Sequence, residues 1–449
     1  MSCLMNFLQK KRDRIAASPD TGTMECLPSE IVLDILSRLP VKSVLDCKLV
    51  CKKLLNLLVH QWDQFAEMHY RRQLLQLAAS SGAASSSTGL LFSFEKSEKD
   101  KTAESRGGAR LYYGDKYNSE MNIHENFYYK TLQKTSVRFP PTADLDGIVG
   151  SCNGLICLNR YHHGIPDPIH ICNPNTGEYV NLPEYTLHEE GYATAYGFGY
   201  VHSPTNDQYK VVRIYYPDDY DKGEVQVYTI GSGSGWRTIC ETSYLLFMSS
   251  PLGIFVNGAL HWIDDQNKKI VAFNLADEEF RLIRPPPCYE ATDYCFNILQ
   301  ALRGNLCICH QRNEEHLLDI WTLKQNATEA SWSRDFSIAY DSAKEMNRDE
   351  FPVIPLLITK KNEFIFVHQG SKLYCYDPKS TTVINLWDEE KWKSMGLMTF
   401  PELWDDDKWD LTGLTAFPHM NSFVSLKALG ERSESKKKLG ETSLEETAD

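Results

Sequence analysis

Two strand signatures recur along the middle of this chain, and together they leave few folds open. The first is a strand–turn–strand unit, His170-Ile171-Cys172-Asn173-Pro174-Asn175-Thr176-Gly177-Glu178-Tyr179-Val180. Its counterparts occupy 225–236, 271–280, 319–332 and 374–383. Aligned on Asn173, Thr229, Asn274, Thr322 and Asp377, they step by 56, 45, 48 and 55 residues. The second signature is a short apolar run at 154–158, 258–262, 304–308 and 362–366, lying 15 to 19 residues upstream of four of those anchors. One small twisted sheet cannot bury both of its faces, whereas a ring of stacked sheets can. The spacing therefore predicts the blades of a β-propeller.

Five blades are visible in this way. Residues 90–94 and 109–113 are read as strands of a sixth, and 412–426 as the segment that closes the ring against it. Upstream, 78–89 is a Ser/Ala/Gly stretch of linker composition. The expected organisation is a disordered N-terminus over 1–23, a helical module over 24–77, a linker over 78–89, a propeller of about six blades over 90–427, and a disordered tail over 428–449.

The helical module is dense in apolar residues for its length. Pro28 suits the start of a helix, with Glu30 in its first turn. Ile31, Val32, Ile35, Leu36 and Leu39 recur at three- and four-residue steps, and Pro40 ends the run. Ser43 is expected to cap the next helical stretch, which carries Val44, Leu45, Leu49, Val50, Leu54, Leu55 and Leu58. So small a unit rarely closes a core alone, and apolar residues spread over a wide arc imply a second surface that a partner covers.

Charge and cysteine usage narrow the function. A formal charge of −13 opposes a nucleic-acid or anionic-membrane partner, because phosphate binding needs a concentrated basic face. No apolar run reaches the length of a membrane-spanning helix. Lys10-Lys11-Arg12 follows the first apolar residues, the reverse of a signal peptide. Thirteen cysteines, several in strand-like runs and none in a Cys-x-x-Cys pair, suit reduced core positions in the cytoplasm or nucleus.

The module resembles an F-box. The residues that carry the resemblance are Leu27-Pro28, Ile35-Leu36, Leu39-Pro40-Val41-Lys42-Ser43 and Val50-Cys51-Lys52. The family usually has a Trp shortly after the Cys-Lys, where this chain has Lys53-Leu54-Leu55. F-box proteins are substrate receptors of cullin-based ubiquitin ligases and dock on a Skp-type adaptor. The resemblance implies an adaptor surface drawn from Leu27, Pro28, Leu33, Ile35, Leu36, Leu39, Pro40, Val44, Val50 and Cys51. The β region resembles the plant F-box-associated domain, related to kelch propellers. The matching residues are Gly150-Ser151-Cys152-Asn153-Gly154-Leu155-Ile156, Asn173-Pro174-Asn175-Thr176-Gly177, Gly197-Phe198-Gly199-Tyr200, Tyr209-Lys210-Val211-Val212-Arg213 and Phe423-Val424-Ser425-Leu426. Repeated Gly-Gly doublets are lacking, so "kelch repeat" fits the architecture better than the motif.

Few residues suggest chemistry. Asn153-Gly154 and the Asn173 segment read as turn chemistry. The run Gly231-Ser232-Gly233-Ser234-Gly235 reads as a hairpin loop, since no Lys-Ser/Thr follows it and no helix opens there. His162, His163 and His170 have ordinary spacing, and no metal, cofactor or catalytic set is assigned. The acidic, aromatic-containing loops are the candidate target contacts: Asp218, Asp219 and Tyr220, and Asp405, Asp406, Asp407 and Trp409. The resemblance implies a non-catalytic receptor subunit that joins a target protein to adaptor and cullin. The alternatives are an F-box protein acting outside a ligase and, further off, a propeller enzyme.

Overall fold

The computed structural model describes residues 27–79, 88–94, 110–114, 132–134, 147–162, 165–183, 193–202, 207–217, 222–248, 250–264, 266–290, 295–312, 315–325, 330–339, 353–359, 361–368, 372–386 and 415–431. The chain divides into two compact units, one ending at Leu74 and one beginning at Leu75.

Four helices open the described chain: α1 (Ser29–Leu36), α2 (Val41–Cys47), α3 (Lys52–His60) and α4 (Trp62–Ala79). Pro28 and Pro40 occupy the N-cap positions of α1 and α2, where a missing N–H breaks no helical hydrogen bond. Ser43 therefore lies inside α2 and does not cap it, which corrects the sequence expectation. The apolar run 44–58 is two helices, because Cys51 is extended, with φ −156° and ψ 158°, and starts α3 afresh. Val32, Leu33, Leu36, Val41, Val44, Leu54, Leu58 and Phe65 form the buried interior. α4 runs two residues into the segment read as linker.

Among the described residues the second unit holds 24 strands. Blade one joins β1 (Thr88–Phe94), β2 (Arg110–Gly114) and β3 (Leu132–Lys134) to the last strand, β24 (Thr415–Met420). Blade two is β4 (Gly147–Cys152), β5 (Leu155–His162), β6 (Ile165–Cys172) and β7 (Tyr179–Asn181). Blade three is β8 (Ala193–Val201), β9 (Gln208–Tyr216), β10 (Gly223–Thr229) and β11 (Trp236–Thr242). Blade four is β12 (Leu252–Val256), β13 (Ala259–Asp264), β14 (Lys269–Asn274) and β15 (Glu279–Ile283). Blade five is β16 (Cys295–Leu302), β17 (Asn305–Arg312), β18 (Leu317–Gln325) and β19 (Ala330–Ala339). Blade six is β20 (Val353–Ile358), β21 (Phe364–His368), β22 (Lys372–Asp377) and β23 (Thr382–Asn385).

Within each blade neighbouring strands are antiparallel. A short parallel pairing of β8 with β12, at Tyr196–Leu252 and Gly197–Gly253, links blades three and four. The first-position strands β24, β4, β8, β12, β16 and β20 adjoin one another in turn and return to β24, so the six blades form a closed ring. β24 pairs with β1 from Thr88–Met420 to Ser93–Thr415, which makes the first blade from both ends of the domain.

The core lies between blades. Leu91, Ile148, Ile156 and Cys172 pack blade one on two. Leu155, Ile171, Phe198 and Val211 pack two on three, and Ile214, Val227, Trp262 and Phe273 pack three on four. Ile270, Leu299 and Ile308 join four to five, and Ile320, Phe364 and Tyr374 join five to six. Blade three can approach blade four because β8 is Gly-rich: a Cβ on Gly197 would stand 2.8 Å from Leu260, and one on Gly199 2.5 Å from Leu275 and Phe255.

Alternation of strand direction gives the ring two unlike ends. In blades two to six the connections between first and second, and between third and fourth, strands emerge at one end. They are short turns, such as 153–154, 173–178, 257–258 and 303–304. Described parts of the links between blades, such as 243–248 and 284–290, leave from the opposite end. Loops of that kind, held on a rigid frame, are where binding residues concentrate.

Candidate interaction surfaces

In the helical unit each of two helices has a second apolar face. On α1, Val32, Leu33 and Leu36 point inward while Ile31 and Ile35 are exposed, at 48% and 39%. On α3, Leu54 and Leu58 are buried while Leu55 and Val59 are exposed. Leu49 and Val50, between α2 and α3, are 86% and 53% exposed. Of the adaptor residues expected from sequence, Pro28, Ile35, Pro40, Val50 and Cys51 lie on the surface, and Leu27 and Leu39 are half-buried. Leu33, Leu36 and Val44 lie in the interior and have almost no surface to offer a partner. Ile31, Leu49, Leu55 and Val59 were not singled out, although the i, i+4 spacing of Ile31 with Ile35 and of Leu55 with Val59 is their signal.

Polar contacts hold these faces in place. Arg72 on α4 donates through Nη2 to Asp34 Oδ1 at 2.8 Å, and through Nη1 to Ser37 Oγ at 2.6 Å and the Asp34 carbonyl at 3.0 Å. Arg72, with Arg38, holds the Asp34 carboxyl below its usual range. His69 Nε2 lies 2.9 Å from the Leu39 carbonyl, and burial lowers the pKa of its ring. The Lys48 ammonium sits 3.5 Å from the Trp62 ring centroid, a cation–π contact, and burial lowers its pKa.

In the propeller, the candidate target residues Asp218, Asp219, Tyr220, Asp405, Asp406, Asp407 and Trp409 lie outside the described residues. In sequence they fall between β9 and β10 for the first group and between β23 and β24 for the second. A described part of the loop end is 243–248. The buried Tyr216 hydroxyl donates to the Tyr244 carbonyl at 2.6 Å and accepts from the Leu246 amide at 3.2 Å. The Leu245 amide donates to Asp264 Oδ1 at 3.3 Å. Phe247 rests on the Tyr216 ring, 4.8 Å between centroids, and Met248 beside it is 65% exposed. Sequence patterning did not flag this segment, because its support comes from strands 19 to 30 residues away in sequence.

The turn end is occupied differently. After β24 the chain continues across the turns of blades two and three as far as Glu431. Asn173 shapes its own turn, its Oδ1 accepting from the amides of Asn175 and Thr176. Its Nδ2 also donates to the carbonyls of Ser422 and Val424, at 3.2 and 2.8 Å. The sequence reading of this segment as turn chemistry holds only half of its role. His170, from the histidine group, pairs with Asn181 Oδ1 at 2.6 Å. Among the described residues no set of His, Cys, Asp and Glu is grouped to hold a metal. No described helix is long and apolar enough to cross a membrane.

Comparison with known proteins agrees with both units. The F-box-like family matches residues 24–65, and the F-box associated beta propeller domain family matches 111–393. Among curated relatives in Arabidopsis thaliana, "F-box protein At3g07870" is 28% identical over 397 residues, spanning 80% of this chain and 86% of that one. "F-box/kelch-repeat protein At3g23880" is 27% identical, spanning 70% and 79%. "F-box protein CPR1" is 25% identical, spanning 81% and 84%. A helical module with two apolar faces, a six-bladed ring and these matches lead to one assignment: the chain belongs to the F-box proteins that carry an F-box associated β-propeller domain.

Proposed function

We propose that this protein is the substrate-recognition subunit of an SCF-type E3 ubiquitin ligase. Its helical unit docks on a Skp-type adaptor and through it on a cullin, and its propeller binds a target protein for ubiquitination. The observation that carries the reading is the outward apolar face of Ile31, Ile35, Leu49, Val50, Leu55 and Val59 on a unit whose interior is already filled. Covering these side chains gains about 25 cal/mol for each Å² of apolar surface that leaves water. The subunit performs no chemistry. It raises the effective concentration of target near a ubiquitin-loaded enzyme. Target capture is assigned to the loop end around Met248, and the acidic residues Asp219 and Asp406 are assigned to it from their sequence alone. The compartment is the cytoplasm or nucleus, supported by Cys152, Cys157, Cys172, Cys307, Cys309 and Cys375, which are buried as free thiols.

The test is co-purification of the full chain with a Skp-type adaptor and cullin. Replacing Leu49 and Val50 together by Asp is expected to lower adaptor affinity by roughly a hundredfold or more without lowering the melting temperature. Wild-type binding by that variant overturns the docking surface. An adaptor complex that never contains cullin points instead to an F-box protein acting outside a ligase.

A further inference from the structure

The eleven residues after β24 are more than a chain end. Phe423 and Leu426 are fully buried, and Leu426 belongs to the core between blades two and three. Ser422 Oγ donates to the Asn153 carbonyl at 2.7 Å, and Asn175 Nδ2 donates to Asn421 Oδ1 at 2.9 Å. The Glu178 carboxylate receives the Leu426 amide at 2.7 Å and the Ser425 hydroxyl at 3.1 Å. A tight turn follows, with the Glu431 amide donating back to the Leu426 carbonyl at 3.1 Å and Gly430 at φ +95°. Glu431 Oε1 then accepts from the Tyr228 hydroxyl at 2.9 Å and the Gly231 amide at 2.8 Å, both on blade three.

Two glycines make room for this segment. A Cβ on Gly154 would meet Ser422 Oγ at 1.9 Å, and one on Gly231 would meet the Leu429 carbonyl oxygen at 1.6 Å. Residues 421–431 thus start from the strand that completes blade one, lie on blade two and end on blade three.

We propose that residues 421–431 are a lock on the ring. β24 closes the first blade by sheet pairing, and the segment beyond it then fastens blades two and three to that closure. Opening the ring requires this segment to leave first. Closure consequently has two layers, and the outer one is made last, by the final described residues of the chain.

The turn that holds Gly231 supplies its own control. Gly233 lies in the same turn at φ +69°, close to the +75° of Gly231, and a Cβ there meets nothing within 4 Å. Gly233→Ala therefore carries only the backbone strain, while Gly231→Ala carries the strain and expels the segment. The experiment compares full-length chains by tryptic cleavage after the exposed Lys427 and by unfolding rate in urea. Gly231→Ala is expected to be cut after Lys427 at least roughly tenfold faster than Gly233→Ala, and its ring to unfold several-fold faster. Equal cleavage of the two variants overturns the seating. Faster cleavage with an unchanged unfolding rate makes the segment a passenger and overturns the lock. Should Gly231→Ala be insoluble, Glu431→Ala decides in its place. It removes two hydrogen bonds and adds no clash, and the same two rates are expected to rise in it. Unchanged rates refute the proposal.

Discussion

The two units of this protein treat apolar surface in opposite ways. Among the described residues, seven of the nine exposed large hydrophobics fall within the helical stretch 29–79, five on helices and two, Leu49 and Val50, on the turn before α3, and the propeller strands and loops contribute Met248 and Leu282. The helices are too few to turn every apolar side chain inward, so α1 and α3 each keep a second face for something else. The ring has a neighbour for each blade and buries its apolar residues between sheets. On the function proposed above, this division gives each of two partners its own kind of contact, apolar area on the small unit and loops on the large one.

Removing β24 is the strongest way to break the comparison. A chain stopped before residue 411 lacks the partner of β1 and the plug formed by Phe423 and Leu426, leaving Leu91 and Ile148 uncovered. It is expected to be insoluble, whereas the full chain is not, and a soluble fragment with a cooperative melting transition would refute ring closure.

Single core truncations come next. Trp262→Ala in the ring is expected to cost about 3–5 kcal/mol and Leu58→Ala in the helices about 2–5 kcal/mol. If the units fold separately, calorimetry resolves two transitions and each variant moves only its own. A common shift would mean that the two share one cooperative unit.

Acid sharpens the contrast at smaller scale. Burial lowers the pKa of His69 in the helices and of His261, His310 and His419 in the ring, that of His419 to about 3. Above pH 6.5 these rings are neutral in both folded and unfolded chains and stability is unaffected. Below it the unfolded chain takes up protons that the folded one refuses, so stability falls as pH falls. His419 alone accounts for about 2 kcal/mol by pH 5. Melting temperatures between pH 7.5 and 5 should drop further for the ring than for the helices, and a flat profile would contradict the buried neutral rings.

The smallest effect is expected at Arg38, whose bond to Asp34 is largely in water. Arg38→Ala should leave the melting temperature of the helices almost unchanged, since Arg72 still holds Asp34. A drop as large as that of Leu58→Ala would mean that the pair is part of a tighter network.

Much of this was legible in the sequence because local rules governed it. The anchors Asn173, Thr229, Asn274 and Asp377 mark the ends of third-position strands, where a turn must follow, and the upstream signatures became β5, β13, β17 and β21. The first-position strands were mostly silent. β12 and β20 are uniformly apolar, without alternation, and follow connections of unequal length, so no fixed offset betrays them. The helices were readable from period 3.6, but which apolar residues face out was not, because α1 and α3 are apolar on both sides. The partners of Asn173, Glu178 and Gly231 lie 200 to 251 residues away, beyond any pattern in the chain.

The outermost strands decide how copies of the ring behave toward one another. β3 and β7 have three residues each and β23 has four, too short to template another strand. The longer ones, β11 and β19, are each broken by a register shift against their neighbours, at Val225/Gln226 and Ile320/Trp321. Of the described outermost strands longer than four residues, only β15, five residues long, pairs with its neighbour without a shift. Little straight edge is thereby offered to the backbone of a second molecule, and most of the described rim can be read by a partner only through side chains.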